Sequence, residues 1–298
     1  MDKKNYKIKL HADDLGRSKS INAAIFKSID SGFVTSVSVM INHKHSLDGI
    51  KGAKKRKIKM RLHLNLTEGK SMYKHHQISR LVNSTGTFCN SFFSLFVAPL
   101  KPNFKKIKEE TKKEIYEQIK FYLKKNKLKK LNLDGHQHIH CIPWISNIVI
   151  NAKLKFKLKE MRVPNEKFFL SSYKNIFKSW YFTNVIKFSL LKVLSKIITK
   201  KIKKNKINYN DFFVGLLDTG HMTLNSIKNG IDNLAHTQKS SLIEVLIHPG
   251  YSSTKEKDLW DTKQQHSYYI KKERHNELLL SKNKKLKKIL YYENTFNT

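Results

Sequence analysis

Short apolar, β-rich runs recur along the chain, and four of them end in polar residues of catalytic type: Lys7 to Asp14 (KIKLHADD), Ile58 to Glu68 (IKMRLHLNLTE), Lys130 to His140 (KLNLDGHQHIH) and Leu242 to Tyr251 (LIEVLIHPGY). Helical patterns lie between them: Ser20 to Ser31, stopped by Gly32, Phe104 to Asn126, rich in Lys and Glu, Pro143 to Lys153, and Leu224 to Gln238. Strands alternating with helices predict a parallel α/β fold. Each strand candidate carries its acid or imidazoles at the C-terminal end, where barrel and open-sheet α/β enzymes assemble their sites from several loops. The pattern therefore predicts a site at the top of a barrel-like sheet. No internal repeat and no Pro/Gly/Ser-rich linker divides residues 1–298, so one unit is expected.

The segment from 168 to 206 departs from this alternation. It is a run of aromatics, Ile, Leu and Lys, with Ile186, Leu190, Val193, Leu194, Ile197 and Ile198 at near-helical spacing and Lys on the other face. Two readings fit it: a barrel helix with a snorkelling rim, or a basic amphipathic element resting on an anionic membrane.

Composition adjusts this picture in three ways. With 39% hydrophobic and 11% aromatic residues over 298 positions, the chain can bury a core and does not read as disordered. The formal net charge of +36 suggests an anionic partner, yet only six of the 59 basic residues are Arg (17, 56, 61, 80, 162 and 274). Phosphate and base readers favour the bidentate guanidinium, so the 53 lysines read as a surface habit of AT-biased coding and no nucleic-acid partner is expected. Cys89 and Cys141 are too few for a disulfide scaffold, Met1 to Tyr6 contain no apolar leader, and no run approaches the ~18 apolar residues of a spanning helix. A cytoplasmic protein is expected.

The polar strand ends supply the chemistry. Asp13 and Asp14 are adjacent where β-structure should break at Leu15-Gly16, so one carboxylate can bind a metal while its neighbour approaches the bound water as a base. His63 alternates with leucines in a strand that should be buried. His136, His138 and His140 would share one face of an extended backbone, a density of imidazole that points to metal or catalytic use. Cys141 beside them is isolated as a soft ligand. His248 ends an apolar strand before Pro249-Gly250, a position suited to proton transfer, and His221 after Gly220 is a weaker candidate.

Taken together, His11-Ala12-Asp13-Asp14-Leu15-Gly16, Gly32 to Ser38 (GFVTSVS), Leu62 to Gly69 (LHLNLTEG), Asp134 to His140 (DGHQHIH) and His248-Pro249-Gly250-Tyr251 resemble the YdjC-like carbohydrate deacetylases. The resemblance runs in order from about residue 7 to 290, with echoes in Met161 to Glu166 and Arg274 to Leu278. It implies a deacetylase-type (β/α) barrel, TIM-barrel-like and either closed or incomplete, here with a Lys-rich helical insertion at 168–206. It implies a divalent metal, Mg²⁺ or Zn²⁺, on Asp14, His63 and His136, with Asp13 as base and His248 as its acid partner. Asn65, His138, Arg162 and His221 are the residues to expect around the substrate, an N-acetylated sugar or chitooligosaccharide-like chain. A homodimer and a membrane-bound glycolipid substrate are the open alternatives. His11 stands where the family usually has Asn, and Arg61 where it usually has Gly, placing a bulky cation beside a proposed ligand.

Overall fold

In the computed structural model, which describes residues 6–234, 241–251 and 267–292, the four anticipated strands are β1 (Tyr6–Leu15), β3 (Lys59–Leu64), β4 (Leu131–Gly135) and β7 (Ser241–Ile247). Three more complete the sheet: β2 (Val34–Val39), β5 (Leu158–Met161) and β6 (Phe212–Val214). The order is β5-β4-β3-β2-β1-β7-β6, and every neighbouring pair is parallel. Helices Lys19–Asp30, Ser46–Lys55, Phe104–Asn126, Pro143–Asn151, Ser179–Lys204 and Leu224–Asp232 make the successive crossovers. The last stops short of the expected Gln238, which lies outside the described residues.

The sheet curls into an incomplete barrel. Its edge strands share no ladder, but Asn208, just before β6, exchanges backbone bonds with β5 (Met161 N–H to Asn208 O, 2.9 Å; Asn208 N–H to Lys159 O, 2.9 Å). Phe213 N–H reaches Asn165 O at 3.2 Å.

Alternation along the strands sorts two buried environments. Leu10, Ala12, Val37, Val39, Leu62, Leu64, Leu131, Leu133, Ile243, Val245 and Ile247 face outward into an apolar layer shared with the helices. The intervening residues turn inward and, apart from Leu246 and Phe213, are polar: His11 and Asp13, Ser36 and Ser38, Arg61 and His63, Asp134, Glu244. Arg61 donates to Glu244 at 3.0 Å and Glu160 at 2.6 Å. Arg162, fully buried, donates to Glu244 at 2.6 Å, to both oxygens of Asp13 at 2.7 and 2.9 Å, and lies 2.9 Å from Asp134 Oδ2. The barrel interior is thus an ion network, with the hydrophobic core outside it. Each of the remaining arginines also meets a carboxylate: Arg17 with Glu68, Arg56 with Asp30, Arg80 with Glu110 and Arg274 with Asp14.

Removing one partner from a buried pair leaves an uncompensated charge, which typically costs ~3–5 kcal/mol. Arg162→Leu takes the forked partner from Asp13 and weakens the neutralisation of Glu244 and Asp134, so its urea midpoint should fall by at least that equivalent at pH 7. A loss below ~1 kcal/mol in urea unfolding would show that these carboxylates do not depend on Arg162.

The Lys-rich segment is not an addition to the repeat. Its helix, Ser179–Lys204, is the ordinary crossover between β5 and β6. The apolar stripe read from sequence also divides: Leu194 and Ile198 are buried together with Tyr181, Phe188, Leu191 and Ile202, whereas Ile186, Val193 and Ile197 are exposed. The spacing joins residues of two opposite faces into one stripe, because a 3.6-residue period accommodates either. Lys192 is also not a free rim cation, since its Nζ donates to Asn165 Oδ1 at 3.1 Å and to Glu166 O at 2.6 Å.

Candidate metal and catalytic site

At the end of β1, Asp14 adopts a left-handed backbone (φ 72°). That turn lets two consecutive carboxylates serve one pocket, where a regular strand would send them to opposite faces. Gly16 (φ 97°) continues the turn; a Cβ there would come within 2.5 Å of Met40 O.

Asp14 divides its oxygens. Oδ2 accepts from Arg274 at 2.9 Å, while Oδ1, fully buried, has no hydrogen-bond donor. Oδ1 lies 3.7 Å from His63 Nε2 and 3.4 Å from His136 Nδ1. Ligand atoms of Asp14, His63 and His136 all fall within 4.8 Å of one another. One carboxylate and two imidazoles converging around an orphaned oxygen fit a divalent cation.

The other nitrogen of His63 is fixed by Asp134 at 2.7 Å, the carboxylate–histidine arrangement that orients a metal-binding ring and raises its basicity. Burial opposes a charge on His63, but Asp13, Asp134 and Asp14 outweigh it and raise its pKa to about 9. Asp134 also accepts from Ser38, which shares His11 with Ser36 (2.7 and 2.6 Å). His11, Asp13 and Asp134 form a second group of potential ligands within 4.8 Å. Arg162 already occupies it with a full positive charge, so it does not suit a metal ion.

Asp13 itself is gripped on both oxygens by Arg162, with His11 at 3.2 Å and His63 at 3.9 Å. Burial alone would raise its pKa; Arg162, His63 and His11 hold it well below the usual carboxylate range.

The imidazole cluster differs from the extended strand expected. β4 ends at Gly135, and His136–Cys141 form a tight helical turn with left-handed Gln137 (φ 52°) and His138 (φ 59°). His136 therefore parts from the other two rings, which stay 6.1 Å apart between centroids. His136 meets His63 edge-on (5.5 Å between centroids), His138 packs on Phe213, and His140 Nε2 lies 3.0 Å from Arg162 O. Burial lowers the pKa of His138 well below the ordinary imidazole value and that of His140 to about 4. Gly135 permits the turn: a Cβ there would stand 2.8 Å from His140 Nδ1. Cys141 is buried outside the ligand group, and burial pushes its thiol pKa up.

His248 follows β7, with its backbone N–H donating to Glu277 and Nδ1 3.8 Å from the same carboxylate. Burial, with Arg274 opposing the pull of Asp14, lowers its pKa to about 4. Of the expected substrate contacts, Asn65 uses its side chain to tie loops together, accepting from Thr67 N–H (3.0 Å) and donating to Glu68 O (2.7 Å) and Asn42 Oδ1 (3.1 Å). Arg162 is spent on the interior network. His221 stands at the rim, stacked on Trp180 at 4.0 Å and 3.9 Å from Glu273. Arg61 lies a tier below His63 and does not crowd the ligands.

Asp134, Glu68, Arg274 and Glu277 complete the site, although sequence reasoning assigns them no role. All four sit inside the quoted motifs. Glu68 accepts from Arg17 at 2.9 Å and from Tyr269 at 2.6 Å, 3.7 Å from His136.

The model of the YdjC-like protein family matches residues 7–291. A carbohydrate deacetylase of Xenopus laevis is 26% identical over 266 residues, covering 84% of this chain and 83% of that protein. One from Homo sapiens is 23% identical over 263 residues, covering 85% and 77%. A carbohydrate deacetylase of Oceanobacillus iheyensis is 27% identical over 153 residues, 51% of this chain and 63% of that protein. A crystal structure of an Enterococcus faecalis V583 protein, described as a candidate cellobiose-phosphate cleavage protein, superposes with TM-score 0.70 at 16% identity, covering 97% of this chain and 95% of that one. This last likeness concerns the fold.

Proposed function

This chain belongs to the YdjC-like protein family, and from that premise we propose that it is a metal-dependent carbohydrate deacetylase hydrolysing the acetamide of an N-acetylated amino sugar. One observation carries the reading: the donor-free Oδ1 of Asp14, aimed between His63 and His136. Those three residues would hold Zn²⁺ or Mg²⁺, and the donor set is compatible with either. A bound cation supplies polarisation of the amide carbonyl and a more acidic water.

The chain's own groups handle the protons. Asp13, oriented by the Arg162 fork, takes a proton from the attacking water. His248 delivers one to the amine nitrogen as the C–N bond breaks, so acetate and a free amino sugar form with no net proton change on these two side chains. Because burial keeps His248 neutral near pH 7, the proton it delivers is the one Asp13 takes from the water, passed on to it before the C–N bond breaks. The rim residue His221, stacked on Trp180, offers a surface for the sugar ring beyond the reacting amide.

Metal-loaded protein incubated with N-acetylated mono-, di- and oligosaccharides should release acetate from at least one class, and a chelator should abolish that release. Acetate formation that persists unchanged after chelation and dialysis, or none from any sugar, would refute the proposal.

A further inference from the structure

The helix Ser179–Lys204 carries apolar residues on two sides, and only one of them is packed. Phe182, Ile186, Val193 and Ile197 recur at spacings of four, seven and four, which places them on a single side, opposite the buried Phe188, Leu191, Leu194 and Ile198. The turn Tyr173–Phe177 before the helix extends this surface: Phe177 is 89% exposed, Tyr173 81% and Phe182 68%. Large apolar groups so exposed and contiguous mark an interaction site.

Charge selects the occupant. Between Glu166 and Asp211 the sequence holds eleven lysines and no acidic residue. Lys174, Lys178, Lys196, Lys200, Lys203 and Lys204 are exposed, while Lys192 and Lys201 are tied to groups of the protein. A second copy of the chain would set lysines against lysines on this face. An anionic surface would complement them, and aromatic rings with lysines at their edge are what a headgroup boundary accommodates. Among the described residues no helix is long and apolar enough to cross a membrane, so the contact is peripheral.

We propose that the turn Tyr173–Phe177 and the outward face of the helix Ser179–Lys204 dock the protein on an anionic lipid bilayer. Their position gives the docking a purpose. The helix leaves the C-terminal end of β5, so its first turn borders the rim that holds the site. Trp180 stacks on His221, and His221 lies 3.9 Å from Glu273, the residue before the Arg274 that holds Asp14. A bilayer on this face lies beside the rim that holds the site and would deliver substrates whose sugar is carried on a lipid.

Co-sedimentation with vesicles tests this without any sugar or activity, so its failure leaves the deacetylase proposal standing. The full chain should bind vesicles of phosphatidylcholine containing about 30% phosphatidylglycerol and not phosphatidylcholine alone, because each lysine near such a surface strengthens binding ~5-fold. Binding should weaken at least ~10-fold between ~0.1 M and ~1 M salt, as screening shortens. Lys196→Gln with Lys200→Gln should lower it by roughly 25-fold. Phe177→Ser with Phe182→Ser and Ile186→Ser, all at exposed positions, should lower it by ~10-fold or more with unchanged thermal unfolding. No binding to anionic vesicles, or equal binding by both variants, overturns the proposal. So does a lipid-free dimer that the Phe177→Ser triple variant dissociates, which would give this face to a second copy.

Discussion

His136→Ala should leave the purified protein without bound metal and without acetate release, whereas His140→Ala should keep both. The two imidazoles sit in the same turn, four residues apart, but face different surroundings. His136 Nδ1 lies 3.4 Å from the donor-free oxygen of Asp14, while His140 Nε2 lies against the Arg162 carbonyl at 3.0 Å. Residues that merely orient a metal ligand change affinity by ~10–100-fold when altered, so deleting one of three protein ligands should exceed that. His140→Ala removes a neutral buried ring and should act on stability alone. Metal content after dialysis against Zn²⁺ or Mg²⁺, together with the acetate assay, separates the cases. Equal metal in His136→Ala and the native chain would remove His136 from the ligand set.

Asp13→Asn should retain metal and lose ~10²–10⁴-fold in kcat, the range expected when a positioned general base is neutralised at nearly constant shape. The Arg162 fork makes this substitution informative in a second way. Asn presents one oxygen and one N–H₂ group to a guanidinium that now donates to both carboxylate oxygens, so some stability is lost as well. Turnover should therefore be compared at a temperature where circular dichroism shows both proteins folded. Retained kcat would leave Asp13 as an anchor of the ion network and move the base elsewhere.

The strands that end in the candidate site residues are the legible ones. β1, β3, β4 and β7 each combine an apolar outward row with a polar terminus, and both signals are local. β5 (LKEM) and β6 (FFV) span four and three residues, too few for a period to emerge. In β2 the inward Ser36 and Ser38 are small, and what they do becomes visible only beside His11 and Asp134. Alternating polar positions ordinarily imply a solvated face; here that face is the barrel interior, neutralised by partners such as Arg162 and Asp13, 149 residues apart. The turn at Gln137 and His138 was hidden for another reason, since residues other than Gly seldom adopt positive φ and nothing nearby in sequence demands it.

The pairing of every arginine with a carboxylate separates the work of six guanidinium groups from that of the 53 lysines. Lysine offers a single ammonium and cannot reach both oxygens of Asp13 while also meeting Asp134 and Glu244, as Arg162 does. Arg162 and Arg61 therefore mark the places where one planar cation serves several carboxylates at once. Five of the six meet a carboxylate that is itself buried, Asp30 beside Arg56 being the exposed one, so in this lysine-rich chain the rare arginines are chiefly a map of its buried acids.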